Sequence, residues 1–323
     1  MHFLKNALHQ WLNQVLDEPP KKLIPLAGDA SARQYYRLYL ATHTLIVMDA
    51  SADKASLPNF LNISHFLKGH AFCVPIVHAF SSEEGFILLE DFGDTLLLQQ
   101  LTSHNVEPFY HNALAILIKL QRLQAPHELP VFDKAFMLEE MRLFTEWFLT
   151  HHLKFTVTPT MLTQLHKALF WLAETIANQP YALIHRDYHS RNLMVIADAT
   201  PKLGIIDYQD AMLGPFAYDV VSLLKDCYIE WPCAKRHDWQ AFFYQNSDIA
   251  QQVMSFDDFN RAVDLCGIQR HLKVLGIFAR LHLRDKKSHY LAYLPRTLNY
   301  ILECISQFPE LSALQIMLNR VAL

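Results

Sequence analysis

One stretch past the middle of the chain constrains what surrounds it. Residues 183–196 read LIHRDYHSRNLMVI and residues 202–210 read KLGIIDYQD. Two apolar, β-prone runs, 193–195 and 203–206, flank a polar turn, and a loop loaded with His185, Arg186, Asp187, His189 and Asn192 leads into the first of them. The sequence on either side is helical. Residues 107–124, 133–149 and 160–178 carry helical periodicity, the last with Pro159 before it and Pro180 after, and helices return from Tyr218 to the C-terminus.

The N-terminal part has another texture. A first helix, MHFLKNALHQWLNQVL, is broken by Pro19-Pro20, and β-rich segments follow at 22–26, 34–40 and 45–48. After a helical stretch over 57–69 come two more, at 74–80 and 86–90, joined by a polar turn ending in Gly85. Strands with one inserted helix predict a small antiparallel sheet unit. The expected fold is therefore α+β: a sheet-based N-terminal lobe over residues 1–90, a hinge at 91–94, and a larger, mostly helical C-terminal lobe over 95–323 that carries the polar loop and the strand end at 203–210. A chain of 323 residues, 51% of them hydrophobic, holds enough apolar material for two cores, because single cores stop growing near about 250–300 residues.

Acidic residues outnumber basic ones, 32 against 28, for a formal net charge of -4. Nucleic-acid affinity comes mostly from neutralising phosphates and asks for the opposite bias, so no nucleic-acid partner is expected. No apolar run approaches the roughly 18–20 residues that span a bilayer, and the N-terminus lacks the apolar core and cleavage site of a signal peptide. Those features read as a cytoplasmic protein with no membrane partner. The five cysteines are scattered without CxxC spacing, and the 18 histidines show no HExxH-like spacing, so neither a disulfide framework nor a zinc site is expected.

Phosphoryl transfer from a nucleotide needs a carboxylate that orients the attacking hydroxyl and accepts its proton. It also needs hard oxygen ligands for the Mg2+ that bridges the phosphates. H-R-D-x-x-x-x-N supplies both from one loop, with Asp187 as the base and Asn192 as a metal ligand; Asp207, at the end of the next strand, is placed as the second metal ligand. A polar surface loop and a hairpin would account for any one of these residues alone. Their conjunction at the motif spacing points to ATP- and Mg2+-dependent kinase chemistry. His185 is placed to orient the loop by hydrogen bonding, and His189 to face the substrate.

HRDYHSRNL followed by IIDYQD resembles the aminoglycoside phosphotransferase and choline kinase superfamily, whose fold is similar to that of protein kinases. The resemblance spans nearly the whole chain and implies a bilobal fold and a small-molecule kinase. It implies that Asp219, in GPFAYDVVSLL, is the structural aspartate that braces the catalytic loop; a carboxylate facing a helix dipole is the plainer reading, and both can hold. Asp91-Phe92-Gly93 spells the protein-kinase metal signature, but it precedes H-R-D, and that position rules it out as the metal ligand. The resemblance makes it the hinge, where backbone groups of Glu90, Asp91 and Phe92 pair with adenine.

One departure matters. The third strand, LIVMD, has no Lys, and the helix after it has no Glu, so the ion pair that serves the phosphates in protein kinases is missing as a whole. Another cation must take its place. GDASARQYYR offers Gly28, Ser31, Arg33 and Arg37 beside a turn, with Lys54 a further candidate. Small residues let backbone N–H groups approach phosphate, and Arg binds it bidentately.

GDASARQYYR, LIVMDAS, LLEDFGD, HRDYHSRNLM and IIDYQDAMLGPFAYDVVSLLKDCY form a narrower pattern. It resembles the bacterial kinases that phosphorylate the anomeric C1 hydroxyl of N-acetylmuramate and N-acetylglucosamine in cell-wall recycling. That resemblance implies a sugar acceptor and ATP as the binding partners, with no obligate protein partner evident. His189, Gln209, Asp210, Asp226 and Arg270 are candidates for the acceptor pocket, an arginine being suited to a lactyl carboxylate. Two other readings stay open: an aminoglycoside or other amino-alcohol kinase, and a non-catalytic nucleotide-binding protein. The first asks for an acidic pocket or an aromatic cage, and neither cluster is evident in the sequence.

Overall fold

The computed structural model describes residues 2–26, 33–196 and 202–321, with side chains from residue 7 onward. Helix α1 (His2–Val15) is followed by strands β1 (Lys22–Pro25), β2 (Gln34–Tyr39) and β3 (Thr44–Asp49), helix α2 (Leu57–Gly69), and strands β4 (Val77–Ser81) and β5 (Phe86–Glu90). Helices α3 (Val106–Gln121), α4 (Lys134–Leu143) and α5 (Pro159–Ala177) lead to strands β6 (Tyr181–Ile184), β7 (Leu193–Ile196), β8 (Lys202–Ile205) and β9 (Met212–Pro215). Then come α6 (Ala217–Leu224), α7 (Cys233–Asn246), α8 (Phe256–Leu283), α9 (Leu294–Leu302) and α10 (Ser312–Arg320), with short helical turns between them. The chain folds as two compact units, Met1–Gln100 with Asn192–Asp210, and Leu101–Arg191 with Ala211–Leu323.

The first unit is built on an antiparallel sheet of order β1-β2-β3-β5-β4. Alternation along the strands sends one set of side chains to one face, where Leu8, Trp11 and Leu12 of α1 cover Leu38, Leu45, Val47, Phe86 and Leu88. The Trp11 and Phe86 rings lie 5.6 Å apart. Lying between β3 and β5's other neighbour β4, strand β5 is buried at every position but its last, which is why FILLE reads as a continuous apolar run instead of an alternating one. β4 begins later than the sequence suggests. Ile76 just before it is bonded to Glu90 from both sides, its N–H donating to the side-chain Oε2 at 3.1 Å and its carbonyl accepting from the Glu90 N–H at 2.9 Å.

Residues 192–210, which the sequence assigns to the helical lobe, fold with the sheet unit instead. Ile205 N–H donates to the Cys73 carbonyl and Val195 N–H to the Thr95 carbonyl, each at 2.8 Å. Tyr208 stacks on Phe60 of α2 with centroids 5.4 Å apart, and its hydroxyl lies 3.1 Å from Ser64 Oγ. Local sequence announces a hairpin there, but its anchors are backbone groups far away in the chain, which no local pattern records.

The second unit is organised around α8, a 28-residue helix buried on nearly all sides. Ser255 caps it, its Oγ accepting from Asp258 N–H at 3.1 Å, with Asp257 and Asp258 in the first turn toward the positive end of the dipole. Gly276 allows the closest approach: a Cβ there would stand 2.3 Å from the Leu143 carbonyl carbon. Directly after Leu143 the helix expected over 133–149 changes character and runs on as a π-helix over Phe144–His152. Strands β6 and β9 pair antiparallel with Ile184 opposite Met212, so the polar loop starts from a fixed strand end. Among the described residues, no helix is long and apolar enough to cross a membrane.

Candidate active site

The loop after β6 is pinned at several points within the second unit. Asp219, fully buried in the first turn of α6, accepts from the backbone N–H of His185 at 2.5 Å and of Arg186 at 2.9 Å. Burial pushes its carboxyl up, against the opposing pull of the His185 imidazole and the two amide bonds. Those bonds hold Arg186 at φ 75°, a left-handed conformation that costs a side-chain-bearing residue about 1–3 kcal/mol. Further along, Tyr188 is buried and donates to the Ala113 carbonyl at 2.8 Å. Ser190 donates through N–H at 3.0 Å and through Oγ at 2.5 Å to Asp226 Oδ2, while Asp226 Oδ1 accepts from Tyr228 N–H. Asp226, a candidate substrate residue by sequence, is thus a buried brace of this loop.

Asp187 stands at the tip with 40% of its side chain exposed. Arg270 of α8, itself buried, places Nη1 3.3 Å from Asp187 Oδ1 and donates through the same nitrogen to the Arg186 carbonyl at 2.7 Å. Burial alone would push the Asp187 carboxyl up. The charges of Lys273, Arg270, His189 and Arg186 outweigh that and hold it well below the usual carboxylate range. The His185 Nδ1 faces the Asp187 N–H at 3.3 Å. The His189 ring packs edge-on against Tyr228 at 5.3 Å, and burial lowers its imidazole in spite of Asp226 and Asp187 nearby.

Beneath the loop lies a buried ionic cluster. Glu140 of α4 accepts from Arg186 Nη2 at 2.6 Å, from Lys273 Nζ at 2.8 Å and from Gln269 Nε2 at 3.2 Å. Sequence reasoning missed Glu140, Gln269 and Lys273. The only trace is the polar run Gln269-Arg270-His271 with Lys273 inside an otherwise apolar helix; nothing marks Glu140 as their partner.

In the first unit, Asn192 and Asp207 meet at the base of the β7–β8 hairpin. Asn192 Nδ2 lies 3.4 Å from Asp207 Oδ2, and Ile206 N–H donates to the Asn192 carbonyl at 3.1 Å. Asp207 is exposed and, at φ 63°, is another non-glycine residue held in the left-handed region. Gln209 donates to Asp207 Oδ1 at 2.7 Å, and its own carbonyl accepts from Asn59 Nδ2 of α2. Gln209 is therefore a buried support of Asp207, while Asp210 beside it is exposed. One carboxylate and one amide oxygen form a hard donor pair of the kind Mg2+ takes beside phosphate oxygens. Among the described residues no cluster of three or more His, Cys, Asp or Glu gathers as a dedicated cage.

Gly28 and Ser31 lie outside the described residues. Arg33 is buried, with Nη2 3.9 Å from Asp53 Oδ2, and it hydrogen-bonds the Tyr35 hydroxyl. Arg37 is engaged elsewhere: it meets Asp91 through Nε at 2.6 Å and Nη2 at 3.1 Å, Asp94 at 2.7 Å and the Gly93 carbonyl at 3.1 Å. Lys54 Nζ donates to the Glu83 carbonyl at 2.6 Å. After Glu90 the chain turns with Asp91 Oδ1 accepting from Gly93 N–H, and the Phe92 ring covers Gly204 so closely that a Cβ there would lie 2.6 Å from it.

Comparison with known proteins gives one consistent answer. The model of the phosphotransferase enzyme family matches residues 22–250. The N-acetylmuramate/N-acetylglucosamine kinase of Pseudomonas putida is 37% identical over 316 residues, covering 94% of this chain and 92% of that protein. Among solved structures, the choline kinase LicA of Streptococcus pneumoniae superposes with a TM-score of 0.68 at 12% identity, over 93% of this chain and 99% of that one. An ADP-bound aminoglycoside phosphotransferase does so with a TM-score of 0.63 at 13% identity, over 91% and 97%. The fold is thus the protein-kinase-like one of these enzymes.

Proposed function

The chain belongs to the phosphotransferase enzyme family, and on that premise we propose that it transfers the γ-phosphate of ATP to the anomeric C1 hydroxyl of N-acetylmuramate or N-acetylglucosamine. The acceptor is supported by the kinship with the Pseudomonas putida kinase over nearly the full length of both chains. The observation that carries the chemistry is Asp187: a half-exposed carboxylate on a loop pinned by Asp219, kept ionised beside Arg270.

In this reading Arg270 steadies Asp187 through Oδ1, and the carboxylate receives the sugar hydroxyl. As the bond from O1 to the γ-phosphorus forms, the bond from that phosphorus to the ADP oxygen breaks, and the hydroxyl proton passes to Asp187. That transfer comes late, once the new bond to phosphorus has acidified the hydroxyl, as suits a loose transition state. Asn192 and Asp207 would hold Mg2+, which neutralises phosphate charge when bound. Gln209 keeps Asp207 oriented for it. Arg33 is the cation we assign to the phosphates, since Arg37 is taken up by Asp91 and Asp94, and the backbone of 90–92 would receive adenine. The setting is cytoplasmic, where ATP and Mg2+ are present. The cations around Asp187 also oppose a polycationic aminoglycoside or choline as acceptor.

The test is ATP consumption by the purified protein with Mg2+ and, side by side, N-acetylmuramate, N-acetylglucosamine, kanamycin and choline. Sugar-dependent turnover, a C1 phosphate by phosphorus NMR, loss of turnover in Asp187→Asn and a raised Mg2+ requirement in Asp207→Asn are expected. Turnover with kanamycin or choline alone would keep the kinase and overturn the sugar. Undiminished turnover in Asp187→Asn would overturn the assignment of the base.

A further inference from the structure

The cluster beneath the loop is more than packing. A buried carboxylate and buried cations are retained at a cost that apolar side chains of similar volume would avoid, so what these charges hold in place is informative. Glu140 gathers donors from two directions. From the loop comes Arg186, whose guanidinium also lies over the rings of Phe132 and Phe136, 5.7 and 5.0 Å from their centroids. From α8 comes Lys273, one helical turn from the Arg270 that engages Asp187. Arg186 is the residue in the strained left-handed conformation, and its carbonyl is the acceptor that seats Arg270. Glu140 is thus tied to Asp187 along two routes, through the Arg186 turn and through the α8 cations, while being too deeply buried to meet a substrate itself.

We propose that Glu140 is a positioning residue for phosphoryl transfer: by holding Arg186 and Lys273 together it fixes the turn on which Asp187 stands and the cations that face it. This rests on the reading of Asp187 as the base. Its consequence is specific. Loss of the Glu140 charge should displace Asp187 relative to the attacking hydroxyl while leaving the binding of both substrates nearly intact, because no substrate contact is removed.

The test is a steady-state comparison of Glu140→Gln, Asp187→Asn and the combined Glu140→Gln/Asp187→Asn protein, with folding followed by thermal melting. In Glu140→Gln we expect kcat to fall roughly 10- to 100-fold, the scale of an ångström-level misplacement, with KM for ATP and for the sugar within about threefold. In the Asp187→Asn background the same change should cost less than about twofold, since residues that act as one unit are not additive. If Glu140→Gln does not fold, Glu140→Gln/Lys273→Met removes the carboxylate together with one of its two cations and lessens the uncompensated buried charge, and its kcat should still be low. A normal kcat in a folded Glu140 variant, or an undiminished penalty in the Asp187→Asn background, overturns the proposal. An active Asp187→Asn protein would instead overturn the reading beneath it, and the two failures are distinguishable.

Discussion

At the scale of single residues, Arg37 shows how far a side chain's chemistry can be right and its partner wrong. A bidentate guanidinium suits phosphate, yet here the fork closes on Asp91, and both side chains are nearly buried. Burial pushes the Asp91 carboxyl up, but the bonds from Arg37, Thr44 and the Gly93 amide win and lower it. The sign is therefore that of a depressed carboxylate: the pair stabilises the fold above about pH 4 and the contribution is lost as pH falls through the folded-state value. Arg37→Met would leave Asp91 buried and unpaired, which costs about 3–5 kcal/mol. We expect a matching drop in the urea midpoint, partial recovery in Arg37→Met/Asp91→Leu, and weaker ATP binding by titration calorimetry in both, because the segment proposed to receive adenine loses its clasp. Unchanged ATP affinity would assign Arg37 to stability alone.

At the scale of elements, α8 sets the geometry of the second unit, and its crossing at Gly276 is the tightest point. Glycine weakens a helix interior by about 1 kcal/mol relative to alanine, so Gly276→Ala would stabilise an isolated helix. In the protein the added methyl meets the Leu143 backbone, which cannot yield as a side-chain tip would. Overpacking of that kind costs roughly 1–3 kcal/mol, and we expect a net loss of stability in chemical denaturation together with a lower kcat, since Arg270 and Lys273 ride on the same helix. A neutral or stabilised Gly276→Ala would mean that the crossing relaxes easily. The helix itself was legible from periodicity. The glycine was visible too, but not the carbonyl it makes room for.

At the scale of the molecule, His271 predicts a loss of stability in acid. It is fully buried on α8, with Nε2 2.9 Å from the Lys225 carbonyl, and burial brings its imidazole down to about 3. An unfolded histidine titrates near 6.5. Below about pH 6.5 the unfolded chain therefore binds a proton that the folded chain refuses, and stability falls with falling pH by about 1.4 kcal/mol per unit until the folded value is reached. His271→Gln keeps a donor for the carbonyl and removes the titration, so its melting temperature should decline less steeply between about pH 6.5 and 4; parallel curves for the two proteins would clear His271 of that role. Most elements and the chemistry were legible in the sequence: apolar periodicity marked the sheet unit and the helices, α2 at its observed ends, and the spacing of Asp187, Asn192 and Asp207 pointed to a kinase. Those signals are local, carried by residues within a few turns or one loop of each other. Three features became visible only in the folded chain: residues 192–210 fold with the sheet, Asp226 and Gln209 serve as supports, and Glu140 lies under Asp187. Each of those depends on a buried polar group finding its partner across the fold, and the cost of leaving such a group unpaired is felt only once the chain has closed around it.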